Sequence, residues 1–147
     1  MSRPQTPRLA ADVLIRRREE PGRIVLIERR NPPLGLAIPG GFVDVGERVE
    51  AAAVREAHEE TSLDVRLVCL LGLYSAPDRD PRGHTVTAVY IADAEGTPRA
   101  ADDAKAIVMV DPADRTRKLV FDHELVLADY LRWRKRGEPA PLRFDGA

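Results

Sequence analysis

Three glutamates, Glu56, Glu59 and Glu60, stand at i, i+3 and i+4 in a stretch, 47–61, that has no Gly or Pro and holds Ala51, Ala52, Ala53 and Ala57. Strong helix formers without a breaker predict a helix there. At ~100° per residue the three carboxylates share an arc of roughly 100° on that helix. Carboxylates so placed repel and raise one another's pKa. A divalent cation turns the cost into a gain, and hard oxygen donors suit Mg²⁺ or Mn²⁺. Glu-rich helix faces are most often merely solvated. Here Val49 and Ala53 lie on the same arc and turn it partly inward.

Other residues support or extend this cluster. Arg55 lies off the arc and can reach back to Glu47, a brace between the helix and the loop before it. That loop carries Gly40-Gly41 and ends at Gly46. Such a loop lets backbone carbonyls approach a metal or phosphate closely, Gly41 being the candidate. The segment 74–84, YSAPDRDPRGH, is polar and stiffened by Pro77 and Pro81. Its Arg79, Arg82 and His84 offer charge and hydrogen bonds suited to phosphate. Arg29 and Arg30 end an apolar run ahead of a Pro-rich loop, as diphosphate contacts or as a solvated strand end. His58 falls outside the arc. Cys69, the one cysteine, lies in the apolar run 67–71 and reads as a buried, inert thiol.

The elements that must position these groups follow from punctuation and periodicity. Apolar runs at 9–15 and 24–27, with Pro21-Gly22 between them, predict strand, turn and strand. Short strands are expected at 42–45 and 106–110, and longer ones at 65–74 and 84–92. The last alternates Thr85, Thr87 and Val89 on one face with Val86, Ala88 and Tyr90 on the other. A second helix is expected over 121–136, with Asp122 as its cap and Gly137 as its stop. Many strands, one central helix and one C-terminal helix predict an α+β or mixed α/β fold, with helices packed on a mixed sheet.

The 147 residues suit one domain over 1–147, with 139–147 a loosely held tail. Lys and Arg total 23 against 24 Asp and Glu, so no global basic field favours nucleic acid. The basic run 132–136 matches the charge preference of a helix C-terminus. No apolar segment is long enough to span a membrane, and residues 1–11 lack a signal-peptide core, so a cytoplasmic location is expected.

Gly41, Glu47 and the run Arg55-Glu56-Ala57-His58-Glu59-Glu60-Thr61-Ser62-Leu63 resemble the Nudix box, G-x5-E-x7-R-E-U-x-E-E-x-G-U, where U is a bulky apolar residue. The match covers 23 of 147 residues. It departs at Ala57, which is small, and at Ser62, which replaces the helix-ending glycine and predicts a strained or altered helix exit. The resemblance implies an α/β/α sandwich around a mixed sheet. It implies Mg²⁺-dependent hydrolysis of a nucleoside diphosphate linked to another group, with Mn²⁺ as an alternative cation. Glu56, Glu59 and Glu60 then correspond to the metal ligands, and Glu47 and Arg55 to the structural pair. The stretch RDPRGHTVT, Phe121-Asp122-His123 and the 101–104 segment resemble the ADP-ribose pyrophosphatase subgroup. Asp102 or Asp103 becomes a late-loop acid, with Glu59 or Glu60 the other candidate base. ADP-ribose is the expected substrate and a homodimer the expected assembly. Sanitising hydrolysis of oxidised nucleoside triphosphates, or a non-catalytic nucleotide sensor, are the alternatives.

Overall fold

The computed structural model describes residues 2–101 and 104–144. Among the described residues seven strands and two helices follow in the order β1 (Arg8–Arg17), β2 (Ile24–Arg29), β3 (Leu36–Ala37), β4 (Gly40–Phe42), α1 (Val49–Thr61), β5 (Arg66–Tyr74), β6 (Thr85–Ala94), β7 (Ala104–Val110) and α2 (His123–Arg136). The strands form one mixed sheet, ordered β3-β2-β1-β6-β5, with β7 paired to β2 and β4 to β1. The pair β1 and β6 is parallel along its whole length, from Arg8 opposite Thr85 to Arg17 opposite Ala94. The other pairs are antiparallel.

The period-2 alternation of the strands divides the core in two. Val13, Ile15, Val25, Ala88, Tyr90 and Ala92 face α1, where Ala52, Ala53 and Ala57 pack. Leu14, Ile24, Leu26, Val89 and Ile91 face α2, where Val126, Leu127 and Tyr130 pack. The result is a sheet between two helices, an α/β/α sandwich. The alanines of α1 let its backbone come close to the sheet, and Glu56 and Glu60 of the same helix meet Gly41 and Gly40 of β4.

Both helices start two residues later than their composition suggests, for local reasons. Glu47 stays in a turn, its N–H on the Asp44 carbonyl at 3.0 Å and its Oε1 accepting the Asp44 N–H at 3.1 Å. Asp122 occupies the position before α2 but makes no side-chain cap, because Arg79 claims its carboxylate through two bonds of 2.6 and 2.9 Å. At the end of α1, Ser62 adopts the left-handed conformation that the missing glycine would take (φ 62°, ψ 11°), and its N–H closes on the His58 carbonyl at 2.8 Å. Cys69 is half-buried, and burial pushes its thiol pKa up.

The described part of the expected tail is attached to the body at two points. The Ala140 N–H donates to the Leu71 carbonyl at 2.9 Å. Arg143 grips buried Asp129 through two bonds of 2.9 Å, and the Tyr74 hydroxyl donates to the same carboxylate at 2.8 Å. Arg143→Ala leaves Asp129 one neutral donor, and is expected to lower stability by about 1–2 kcal/mol in urea titrations without changing the slope. An unchanged midpoint would contradict this role.

Candidate active site

The strand β1 changes neighbours along its length: Arg16 pairs with Ile24 of β2, whereas Ala10, Ala11 and Asp12 pair with β4. Beside this exchange lies a cavity of about 250 Å³. Its walls come from β1 (Asp12), β2 (Arg29), β4 (Gly40, Gly41, Phe42), α1 (Glu56, Glu60), the 75–84 loop (Arg79, Asp80, Arg82) and the entry to α2 (Phe121, His123).

Glu60 is 5% exposed, and its Oε1 accepts the Gly40 N–H at 3.2 Å. Burial, reinforced by the charges of Glu56 and Asp12, raises its pKa to about 8, although the Gly40 N–H and Arg29 oppose the rise. Glu56 also lines the cavity and accepts from Arg55 Nη1 at 2.9 Å. Glu59 lies outside the lining and is more exposed, with Arg55 Nη1 at 3.2 Å. The two glycines are sterically required. A Cβ on Gly40 would collide with Asp12, and one on Gly41 with the Glu56 carboxylate.

Arg55 is the brace the sequence suggests, and more. Its guanidinium donates to Glu47 at 2.7 and 2.9 Å and to the Phe42 carbonyl at 3.1 Å, besides Glu56 and Glu59. Its hydrogen bonds hold Glu47 down at about 2, and its own pKa is raised. The expectation that Glu56, Glu59 and Glu60 gather on one ion differs from this arrangement: among the described residues no three Asp, Glu, His or Cys side chains form a metal-holding group. Arg55 draws Glu56 and Glu59, while Glu60 turns to Gly40. The donor chemistry nevertheless fits a hard divalent cation. Five carboxyls of the described residues line the cavity, among them Glu56 and Glu60 from α1; Glu60 is buried with its pKa raised, and the glycine backbone leaves close access to both glutamates.

The phosphate candidates separate. Arg82 lines the cavity, fixed by Asp80 at 2.9 and 3.1 Å. Arg29 lines it too, with Nε on the Pro33 carbonyl at 2.8 Å. Arg79 reaches the lining but is buried and committed to Asp122, so it shapes the loop rather than offering a guanidinium to a ligand. His84 is exposed, off the lining, with Nε2 3.0 Å from the Ser75 carbonyl. His58 is exposed, 2.9 Å from Asp64. Asp102 and Asp103 lie outside the described residues.

Asp12 escapes the sequence reading, and His123 enters it only within the Phe121-Asp122-His123 resemblance, with no role assigned. Asp12 is 8% exposed and accepts from Thr87 Oγ1 at 2.9 Å. Its signal was available, since it is the one charge inside the apolar run 9–15. His123, 2% exposed, accepts the Ile38 N–H on Nδ1 at 3.0 Å. That bond leaves its proton on Nε2, which stands 3.5 Å from Asp12 Oδ2. Nothing in the local sequence places His123 beside Asp12.

Known proteins resemble this chain in sequence and in fold. The family model for the NUDIX domain matches residues 6–133. Over 131 residues the chain is 47% identical to the ADP-ribose pyrophosphatase of Methanocaldococcus jannaschii, an alignment covering 87% of this chain and 75% of that protein. Among solved structures, a MutT/nudix family protein from Enterococcus faecalis superposes with a TM-score of 0.75 at 27% identity, over 92% of this chain and 65% of the other. The NUDIX domain of Shewanella oneidensis NrtR, solved with ADP ribose, shares the fold at 22% identity (TM-score 0.76, 87% of this chain and 88% of that one).

Proposed function

The chain belongs to the Nudix hydrolase family, and from that premise we propose that it hydrolyses the diphosphate bridge of ADP-ribose, with a divalent cation, to AMP and ribose 5-phosphate. The observation that carries the reading is one cavity lined by both the Glu56 and Glu60 carboxyls and the Arg29 and Arg82 guanidiniums. The high identity to an ADP-ribose pyrophosphatase supports the choice of substrate.

Glu56 and Glu60 would hold Mg²⁺ or Mn²⁺, with the Gly41 backbone beside them. When bound, the cation neutralises diphosphate charge and lowers the pKa of a coordinated water. The protein's own groups do the rest. Arg82, kept in place by Asp80, and Arg29 bind and orient the diphosphate. Burial keeps a proton on Glu60 at neutral pH, and the charges of Glu56 and Asp12 add to the effect. Its ionised form, which a cation held beside it would favour, can ligate or accept a proton. Glu59, less buried, is the other candidate base among the described residues. Overall, water adds to one phosphorus, the bridging P–O bond breaks, and the departing phosphate takes the proton.

Purified protein with ADP-ribose and Mg²⁺ is expected to release AMP and ribose 5-phosphate in equal amounts, detected by chromatography. Added chelator is expected to stop the release. Pyrophosphate release from oxidised dGTP, with no turnover of any diphosphate-linked sugar, would overturn the substrate assignment.

A further inference from the structure

Arginines and phenylalanines alternate beside the cavity, from Arg8 through Phe42, Arg82 and Phe121 to Arg29. The Arg29 guanidinium lies 5.2 Å from the Phe121 ring centre, and Arg82 lies 5.4 Å from the same ring. Arg82 is also 5.3 Å from the Phe42 ring, which Arg8 covers on its own account at 4.8 Å. Phe121 thus has guanidinium planes as neighbours, and one of them, Arg82, is shared with a second ring. Both phenylalanines are only partly buried and line the cavity.

Phe121 is also held in an unfavourable backbone conformation. Among the described residues, two other than glycine have positive φ, Ser62 and Phe121. Ser62 ends a helix, where such a conformation is ordinary. Phe121, at φ 55°, ends none, and a bulky side chain is disfavoured there. Strain of this kind survives where the surrounding structure imposes it, and it concentrates at ligand sites. Here it presents an aromatic ring to a cavity whose other walls are carboxyls and guanidiniums.

Resting on the proposed nucleoside diphosphate substrate, we infer that Phe121 is a specificity-determining residue whose ring stacks the nucleobase. The substrate's diphosphate and sugars are polar, and its base is the one planar aromatic part. An aromatic face that already accepts a planar guanidinium accepts a base by the same stacking. The acidic wall is left to the diphosphate and its cation.

The test is product binding by calorimetry, with AMP and ribose 5-phosphate measured separately. Phe121→Leu is expected to weaken AMP about 5- to 150-fold, the range of base stacking on an aromatic ring, and to leave ribose 5-phosphate within twofold. Phe121→Tyr, which keeps the ring, is expected to restore AMP binding. Phe121→Gly, which relieves the positive φ, is expected to melt at or above the wild-type temperature and yet lose AMP as Leu does, separating recognition from folding. If wild type cleaves ADP-ribose but Phe121→Leu and Phe121→Gly bind AMP within twofold of it, this inference alone is overturned. Equal loss of both products overturns it as well. A wild-type protein that neither binds AMP nor cleaves ADP-ribose removes the substrate assignment together with the stacking.

Discussion

Glu60→Gln will reduce turnover about 10²- to 10⁴-fold and, without added cation, make the protein more stable at pH 9. Both effects come from one buried carboxyl. An ordinary glutamate titrates at 4.5, and Glu60 in the folded chain at about 8. Between these values the folded chain holds a proton that the unfolded chain has released. Stability therefore falls as pH rises through that window, by up to about 1.4 kcal/mol per pH unit, and the full cost is present above pH 8. Gln keeps the shape and hydrogen-bonding capacity without the titration, so the variant lacks this decline. Urea titrations at pH 5 and pH 9, with and without Mg²⁺, check the prediction. The two proteins should differ little at pH 5. At pH 9 the variant should exceed wild type by a few kcal/mol when cation is absent, and Mg²⁺ should stabilise wild type more than the variant. Matching pH dependence in the two proteins would show that Glu60 does not carry this charge cost, and unchanged turnover would remove it from catalysis.

Arg55→Ala will affect both folding and function, because one guanidinium neutralises several acids. It bonds Glu47, Glu56 and Glu59, comes within 3.7 Å of Asp44, and holds the Phe42 carbonyl. Its removal leaves the loop before α1 without its tie to the helix and leaves three glutamates repelling one another. Lost charged hydrogen bonds are worth about 1.5–3 kcal/mol each at most, and solvent around a partly exposed arginine reduces that, so a loss of about 2–3 kcal/mol is expected. Turnover should fall at least 100-fold, since Gly41 and Phe42 are positioned by the same loop. Arg55→Lys retains charge but not the planar fork that spans Glu47 and Glu56, so it should recover stability more than turnover. Because Arg55 holds Glu47 low, Glu47 favours the folded state above its ordinary pKa of 4.5, and that contribution is lost as pH falls towards 2. The alanine variant should accordingly lose less stability than wild type on acidification. Melting curves between pH 3 and 7 show whether it does.

What could be read from the chain depended on sequence distance. The placement of Glu56 and Glu60 four residues apart, the Arg55–Glu47 brace and the helix itself are local. Helical periodicity and the absence of breakers mark them in one short segment, without reference to distant residues. The division of strands into two faces was equally legible, since alternation along 85–90 separates the α1 side from the α2 side without reference to neighbours. Loop 75–84 was less so. Composition marks Arg79, Arg82 and His84 alike as phosphate partners, but their roles depend on which acid each one meets. Arg79 meets Asp122, 43 residues away, and is consumed by it; Arg82 meets Asp80 on its own loop and still borders the cavity.

The sequence by itself determined that a helix presents carboxylates beside a glycine loop, because spacing and backbone freedom are properties of short segments. Only the tertiary structure decided that Asp12, Gly40, Glu60, Phe121 and His123 surround one cavity. The exchange of β2 for β4 along β1, and the bonding of 119–123 to 36–38, bring these residues together from over 100 positions apart. No local pattern encodes such a meeting, since it follows from the path of the whole chain through the sheet.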